Sequence, residues 1–133
     1  MKNDTKLSDA NQVCAVDYAF KRIGGKYKAR ILWYLNLKNV LRYGELSRTL
    51  PDITTKMLTQ TLRELEEDHL LNRKVYQVVP PKVEYTLTET GLELIPFIAH
   101  LHNWGKQQIE KEAMNSDEKP AIIARPCPTD CEL

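Results

Sequence analysis

Thr54-Thr55-Lys56-Met57-Leu58-Thr59-Gln60-Thr61-Leu62-Arg63-Glu64-Leu65-Glu66-Glu67-Asp68 is the stretch whose reading decides the fold. At 100° per residue from Leu58, Leu62 falls at about 40° and Leu65 at about −20°, so the three leucines make one stripe to be buried. Lys56, Gln60 and Arg63 fall at about 160°, 200° and 140°, with Thr59 on the shoulder at about 100°. Asp52-Ile53-Thr54-Thr55 supplies side-chain oxygens suited to capping the start. The polar side carries arginine, which can pair with guanine, glutamine, which can pair with adenine, and threonine, which can meet a thymine methyl group or a phosphate. Glu67 shares that side one turn on, where its repulsion from phosphate marks the limit of a footprint. The same four polar side chains also fit the solvated side of an ordinary amphipathic helix, so the neighbouring segments have to decide.

Upstream, Val16, Ala19, Phe20 and Ile23 recur at helical spacing, and Gly24-Gly25 stops that helix. Ala29, Ile31, Leu32, Tyr34 and Leu35 place a second helix over Lys26 to Leu37, and Tyr43 to Leu50 forms a short third, ended by Pro51. Downstream, Leu70 to Val79 and Lys82 to Leu87 read as extended segments joined by Pro80-Pro81. Leu71, Val75, Val83, Tyr85 and Leu87 are assigned to packing. Thr88-Glu89-Thr90 opens a last helix reaching about Met114. Helix, helix, short helix, turn, long helix, hairpin and long helix make a mainly α chain with a small β-hairpin wing, the layout of a winged helix-turn-helix. Arg73, Lys74 and Lys82 in the hairpin have no purpose in a merely solvated helix, whereas a wing laid along a nucleic-acid backbone or minor groove needs cations there.

The bulk properties narrow the class. With 133 residues, 42% hydrophobic and 28% charged, the chain fits one globular domain and excludes wholesale disorder. Residues 15–90 hold 13 Lys/Arg against 9 Asp/Glu, whereas residues 91–133 hold 4 against 7, so the basic part is also the part with motifs. No apolar run approaches the roughly 20 residues of a membrane span, and the Lys- and Asn-bearing start lacks a signal region, so a cytoplasmic protein is expected. Residues 1–13 read as a flexible arm, 14–114 as the folded domain and 115–133, with its prolines, as a flexible tail.

Catalysis finds no support. There is no C-x-x-C motif, no phosphate-binding glycine loop and no triad-like arrangement around Ser8, Ser47 or Ser116, which disfavours a thiol oxidoreductase or another enzyme, and nothing calls for a cofactor. A protein-interaction module built on the same fold would want an apolar recognition face, and Lys56, Gln60 and Arg63 make it polar.

Several segments in order carry a family resemblance. They are Cys14-Ala15-Val16-Asp17-Tyr18, Ile23-Gly24-Gly25-Lys26-Tyr27-Lys28, Arg42-Tyr43-Gly44-Glu45-Leu46, Lys56 to Leu65, and Pro80-Pro81-Lys82-Val83-Glu84-Tyr85-Thr86-Leu87-Thr88. From Cys14 to about Trp104 the chain resembles the HxlR family of MarR-like bacterial transcription regulators. It departs at Ala15, where the family usually has proline, and at Tyr27, where it usually has tryptophan. The resemblance implies a sequence-specific regulator that binds double-stranded DNA and dimerises through its first and last helices over a pseudo-palindromic operator. Leu92, Ile95, Ile98, Ala99, Leu101, His102 and Trp104 give the last helix more apolar surface than one small domain covers, which agrees. The residues expected to meet DNA are Arg42, Thr54, Thr55, Lys56, Thr59, Gln60, Arg63, Arg73, Lys74 and Lys82.

In some relatives the cysteine at the position of Cys14 senses oxidants or electrophiles. A thiol just before a helix gains from the positive end of the dipole, which favours the thiolate, while a small apolar packing role is the competing reading. A small-molecule effector is the alternative signal. Cys127 and Cys131 flank Pro128-Thr129-Asp130 and are expected to have no role. They do not suggest a metal site, since zinc usually takes four ligands and no histidine adjoins them.

Overall fold

The computed structural model describes residues 13–115; the rest of the expected arm and tail, with Cys127 and Cys131, lie outside the described residues. Five helices and three strands follow in the order α1 Ala15–Ile23, α2 Lys28–Lys38, β1 Leu41–Arg42, α3 Tyr43–Thr49, α4 Thr55–Glu67, β2 Leu71–Tyr76, β3 Lys82–Leu87 and α5 Glu89–Asn115. The chain is thus mainly helical with a small antiparallel sheet, as expected for a winged helix-turn-helix.

α2 is the centre of the core. Ile31, Leu32, Trp33, Tyr34 and Leu35 are buried in succession, so this helix is enclosed on every side, and Leu41, Leu46, Leu50, Ile53 and Ile98 pack around it. The expected stripe of α4 closes the same core, with Leu58, Leu62 and Leu65 at 1%, 2% and 0% exposure. α2 begins at Lys28 rather than Lys26 because Gly25 takes a left-handed φ of 96°, which carries the chain away from α1 before the next helix starts. Tyr27 then serves as N-cap, and its hydroxyl donates to the Asp52 carbonyl at 3.2 Å.

α4 is bounded at both ends by local chemistry. The Thr54 hydroxyl accepts the Met57 N–H at 3.1 Å, satisfying one of the free donors of the first turn. At the other end the Leu70 N–H bonds the Leu65 carbonyl and the His69 N–H bonds the Glu66 carbonyl, a Schellman pair closed by His69 at φ 62° instead of the usual glycine.

The sheet has the order β1-β3-β2, and the hairpin register runs from Leu71 opposite Leu87 to Tyr76 opposite Lys82. The third strand was not expected from the sequence. β1 pairs Leu41 with Tyr85 and Arg42 with Glu84, tying the segment ahead of α3 to the wing. Because residues directly opposite share a face, Leu71, Arg73, Val75, Val83, Tyr85 and Leu87 point one way, and Arg42, Lys74, Tyr76, Lys82 and Glu84 the other. Of the five residues assigned to packing, Leu71 and Tyr85 are buried and Val83 and Leu87 pack against the core. Val75 does not; it is 45% exposed, on β2, the outer strand of the sheet, while its partner Val83 lies on the central strand.

α5 starts where the Thr88 hydroxyl accepts the Gly91 N–H at 2.9 Å. A side chain at Gly91 would strike the Leu70 carbonyl, so glycine permits the close approach of α5 to the end of α4. Leu94, Ile95, Ile98 and Ala99 face the core, but Leu92, Phe97, Leu101, Trp104 and Ile109 are exposed. Val16, Tyr18 and Phe20 of α1 are exposed too, and Phe20 meets Phe97 edge to face at 6.5 Å, so the two apolar surfaces join. No helix among the described residues is long and apolar enough to cross a membrane.

Candidate nucleic-acid interface

α4 presents Thr54, Thr55, Lys56, Gln60 and Arg63 to solvent on the side opposite its buried leucines. Lys56 extends from the first turn without an ion-pair partner among the described residues, and Arg63 points into a cleft of about 450 Å³ between α4 and the sheet. That cleft is lined by Tyr43, Thr59, Leu62, Arg63, Glu66, Arg73, Val83 and Tyr85, so it brings Arg63 of the helix and Arg73 of the wing together. Burial pushes the Tyr85 phenol up, against a hydrogen bond and the positive charge of Arg73, so Tyr85 stays a neutral anchor for that guanidinium.

The other expected cations lie on the opposite face of the sheet. Arg42 and Lys82 both approach Glu84 Oε2, at 4.0 Å and 3.8 Å, so one carboxylate offsets part of their charge. Lys74 and Lys82 stand over the Tyr76 ring at 5.0 Å and 4.6 Å, which gathers the two ammonium groups at one aromatic. The structure therefore divides the expected DNA-facing set into a helix-and-cleft group of Lys56, Gln60, Arg63 and Arg73 and an outer wing group of Arg42, Lys74 and Lys82.

Two hydroxyls are less free than the sequence implies. Thr54 spends its oxygen on the helix cap, and Thr59 Oγ1 lies 2.9 Å from the Tyr43 hydroxyl, which also donates to the Thr55 carbonyl at 3.2 Å. Tyr43 was not among the expected site residues although it fixes the edge of the exposed face. Its placement depends on α3 and α4 crossing, which no local pattern in the sequence records. The Gln60 amide is likewise engaged, donating to Glu64 Oε2 at 2.8 Å.

The cations at the start of α2 serve the interior. Arg30 grips both Asp52 oxygens at 3.1 Å and 3.2 Å; burial opposes its charge, but the pairing with Asp52 prevails and raises its pKa. Arg30 and Tyr27 together pin the turn that leads into α4. Arg22 pairs with Asp68 at 3.8 Å and ties α1 to the far end of the same helix.

Cys14 is exposed at the N-cap of α1 and borders a shallow groove with Val13, Asp17, Tyr18, Phe20, Lys21 and Arg22. His69, exposed and at φ 62°, is the residue on which α4 ends. Among the described residues no cluster of His, Cys, Asp and Glu could hold a metal ion.

A small helical scaffold that presents a polar, cation-bearing helix beside a basic hairpin defines a DNA-binding winged helix-turn-helix transcription regulator, a class without enzymatic activity. The particular family follows from comparison: residues 22–113 match the HxlR-like helix-turn-helix model, and the chain belongs to that family. An HTH-type transcriptional regulator of Methanothermobacter thermautotrophicus is 43% identical over 114 residues, 86% of each chain. The redox regulator HypR in its oxidised form is 46% identical with a TM-score of 0.66, covering 71% of this chain and 96% of that one. Diamide-treated YodB of B. subtilis is 31% identical with a TM-score of 0.60, covering 72% and 95%.

Proposed function

We propose that the protein works in the cytoplasm as a homodimer on a pseudo-palindromic operator, laying α4 of each subunit in a major groove and the wing on the adjoining backbone. The observation that carries this reading is the coexistence of two uncovered surfaces of opposite kind on one small domain: the apolar α1–α5 surface and the cationic α4–wing surface. On this reading Lys56, Gln60 and Arg63 meet base edges, with Thr59 and Tyr43 at the border. Thr54, Thr55, Arg42, Arg73, Lys74 and Lys82 meet phosphates and the minor groove. The test is a titration of the DNA upstream of the protein's own gene in increasing salt. Tight binding that weakens steeply with salt is expected, as counterions are released from the duplex. If neither that DNA nor operators selected from the whole genome bind, the reading is overturned.

A thiol response belongs to the same proposal. Cys14 supports it by combining solvent access with a place at the start of α1, on the surface assigned to the partner subunit. Diamide oxidation there joins Cys14 Sγ to the sulfur of a second thiol, from a small thiol or a second Cys14, with diamide reduced to its hydrazine; the disulfide adds bulk where the subunits meet, which alters the angle between the two α4 helices. In a variant keeping Cys14 but lacking Cys127 and Cys131, diamide is expected to change operator affinity. An unchanged affinity would leave the regulator without this switch and favour a small-molecule effector.

A further inference from the structure

Glu64 lies on the exposed side of the recognition helix, one turn beyond Gln60, where a carboxylate near DNA ought to be a liability. Its surroundings remove that liability and give it a use. Glu64 Oε1 lies 3.1 Å from Lys28 Nζ, and Glu64 Oε2 accepts the Gln60 amide N–H at 2.8 Å. The Lys28 side chain is only 16% exposed, so its ammonium is directed at Glu64 from the start of α2 and is not available to a phosphate. The Gln60 amide and then the Lys28 ammonium hold the Glu64 carboxyl below its usual range, which keeps it ionised and able only to accept.

An acceptor-only partner distinguishes the two ends of a glutamine amide. Gln60 must turn its nitrogen to Glu64, which leaves one N–H and the carbonyl oxygen for anything else. A free glutamine can donate both N–H groups to the two acceptors of guanine, N7 and O6, or offer one donor and one acceptor to adenine N7 and N6. With one N–H already committed, the guanine mode loses a donor and the adenine mode does not.

From this geometry we infer that Lys28 and Glu64 are specificity-determining positioning residues: they clamp the Gln60 amide so that it prefers adenine over guanine at one operator position in each half-site. The inference rests on the reading above that α4 meets base edges. Neither residue touches DNA on this account; Lys28 holds Glu64, and Glu64 holds the amide.

The experiment measures the base preference at every position of the bound operator, by competition among duplexes changed one base pair at a time. It uses the full chain and its Gln60→Ala, Glu64→Ala, Lys28→Met and Gln60→Ala/Glu64→Ala variants, each checked for an unchanged thermal unfolding profile. Gln60→Ala is expected to erase the preference at a single position, and Glu64→Ala to reduce the adenine-to-guanine preference at that same position by roughly ten-fold, within the discrimination of one bidentate contact. The double variant should match Gln60→Ala, because a clamp has no effect without its amide. Lys28→Met provides a second route that keeps the aliphatic stem; it should reduce the preference at the same position by a smaller factor. Overall affinity is not the readout, since removing a carboxylate raises it at every sequence. If Gln60→Ala relaxes one position while Glu64→Ala and Lys28→Met leave it unchanged, the clamp is overturned and base reading by α4 stands. If Gln60→Ala relaxes no position, base reading by Gln60 fails and the clamp fails with it.

Discussion

The α1–α5 surface and the α4–wing surface are both open to water, yet they are open for opposite reasons. The first exposes Val16, Phe20, Phe97, Leu101 and Trp104, the last at 58%, whereas most other large apolar side chains among the described residues are buried or packed against the core. Apolar surface of this kind gains about 25 cal/mol for each Å² removed from water, so it is suited to a protein partner. The second exposes Lys56, Gln60, Arg63 and Lys74, which lose nothing by being hydrated and gain most from a polyanion whose counterions they displace. One consequence separates them in solution. Added salt should weaken what binds the second surface and leave association through the first intact or stronger.

The comparison is broken most severely by putting charge into the apolar surface. Leu101→Glu together with Trp104→Glu is expected to give monomers in sedimentation and to weaken operator binding by about 100-fold or more, because two linked half-site contacts become one. Binding that survives in a monomer would show that the two surfaces are independent. Next in size is the reverse experiment. Arg63→Ala should weaken operator binding by roughly 10- to 100-fold with dimerisation unchanged, measured by gel shift and sedimentation on the same preparation. The wing gives a smaller and graded effect. Lys74→Ala should lower the slope of log affinity against log salt by about 1, and Lys82→Ala by less, because Glu84 already offsets Lys82. The smallest is structural: Thr54→Ala removes the cap of α4 and should lower unfolding stability by about 1 kcal/mol, read in a denaturant titration.

What could be seen in the sequence was whatever is local and periodic. The Leu58, Leu62 and Leu65 stripe, the polar residues opposite it and the two strands around Pro80-Pro81 depend on neighbours in the chain, and the structure has them there, although the first strand ends at Tyr76 and not at Val79. What could not be seen depends on pairs far apart in sequence. β1 is two residues long and exists only because β3 comes to lie beside it. Val75 alternates correctly for a packed strand but lies on the outer strand of the sheet, where it stays 45% exposed. Lys28 and Arg30 resemble any cations at the start of a helix until Glu64 and Asp52 arrive opposite them. The charge count of the basic half was right, but it did not tell which cations remain free: Arg42 and Lys82 share Glu84, whereas Lys56 and Arg63 keep their charge for another molecule.

The two rungs between β1 and β3 have a reach beyond their size. Leu41 opposite Tyr85 and Arg42 opposite Glu84 fasten the lead-in of α3 to the wing, while Tyr43 fastens α3 to α4. Helix and wing are therefore the jaws of one gauge with a set opening. On the proposed reading a duplex has to fit that opening, and base steps lying between the jaws would be selected by how readily they narrow, widen or bend.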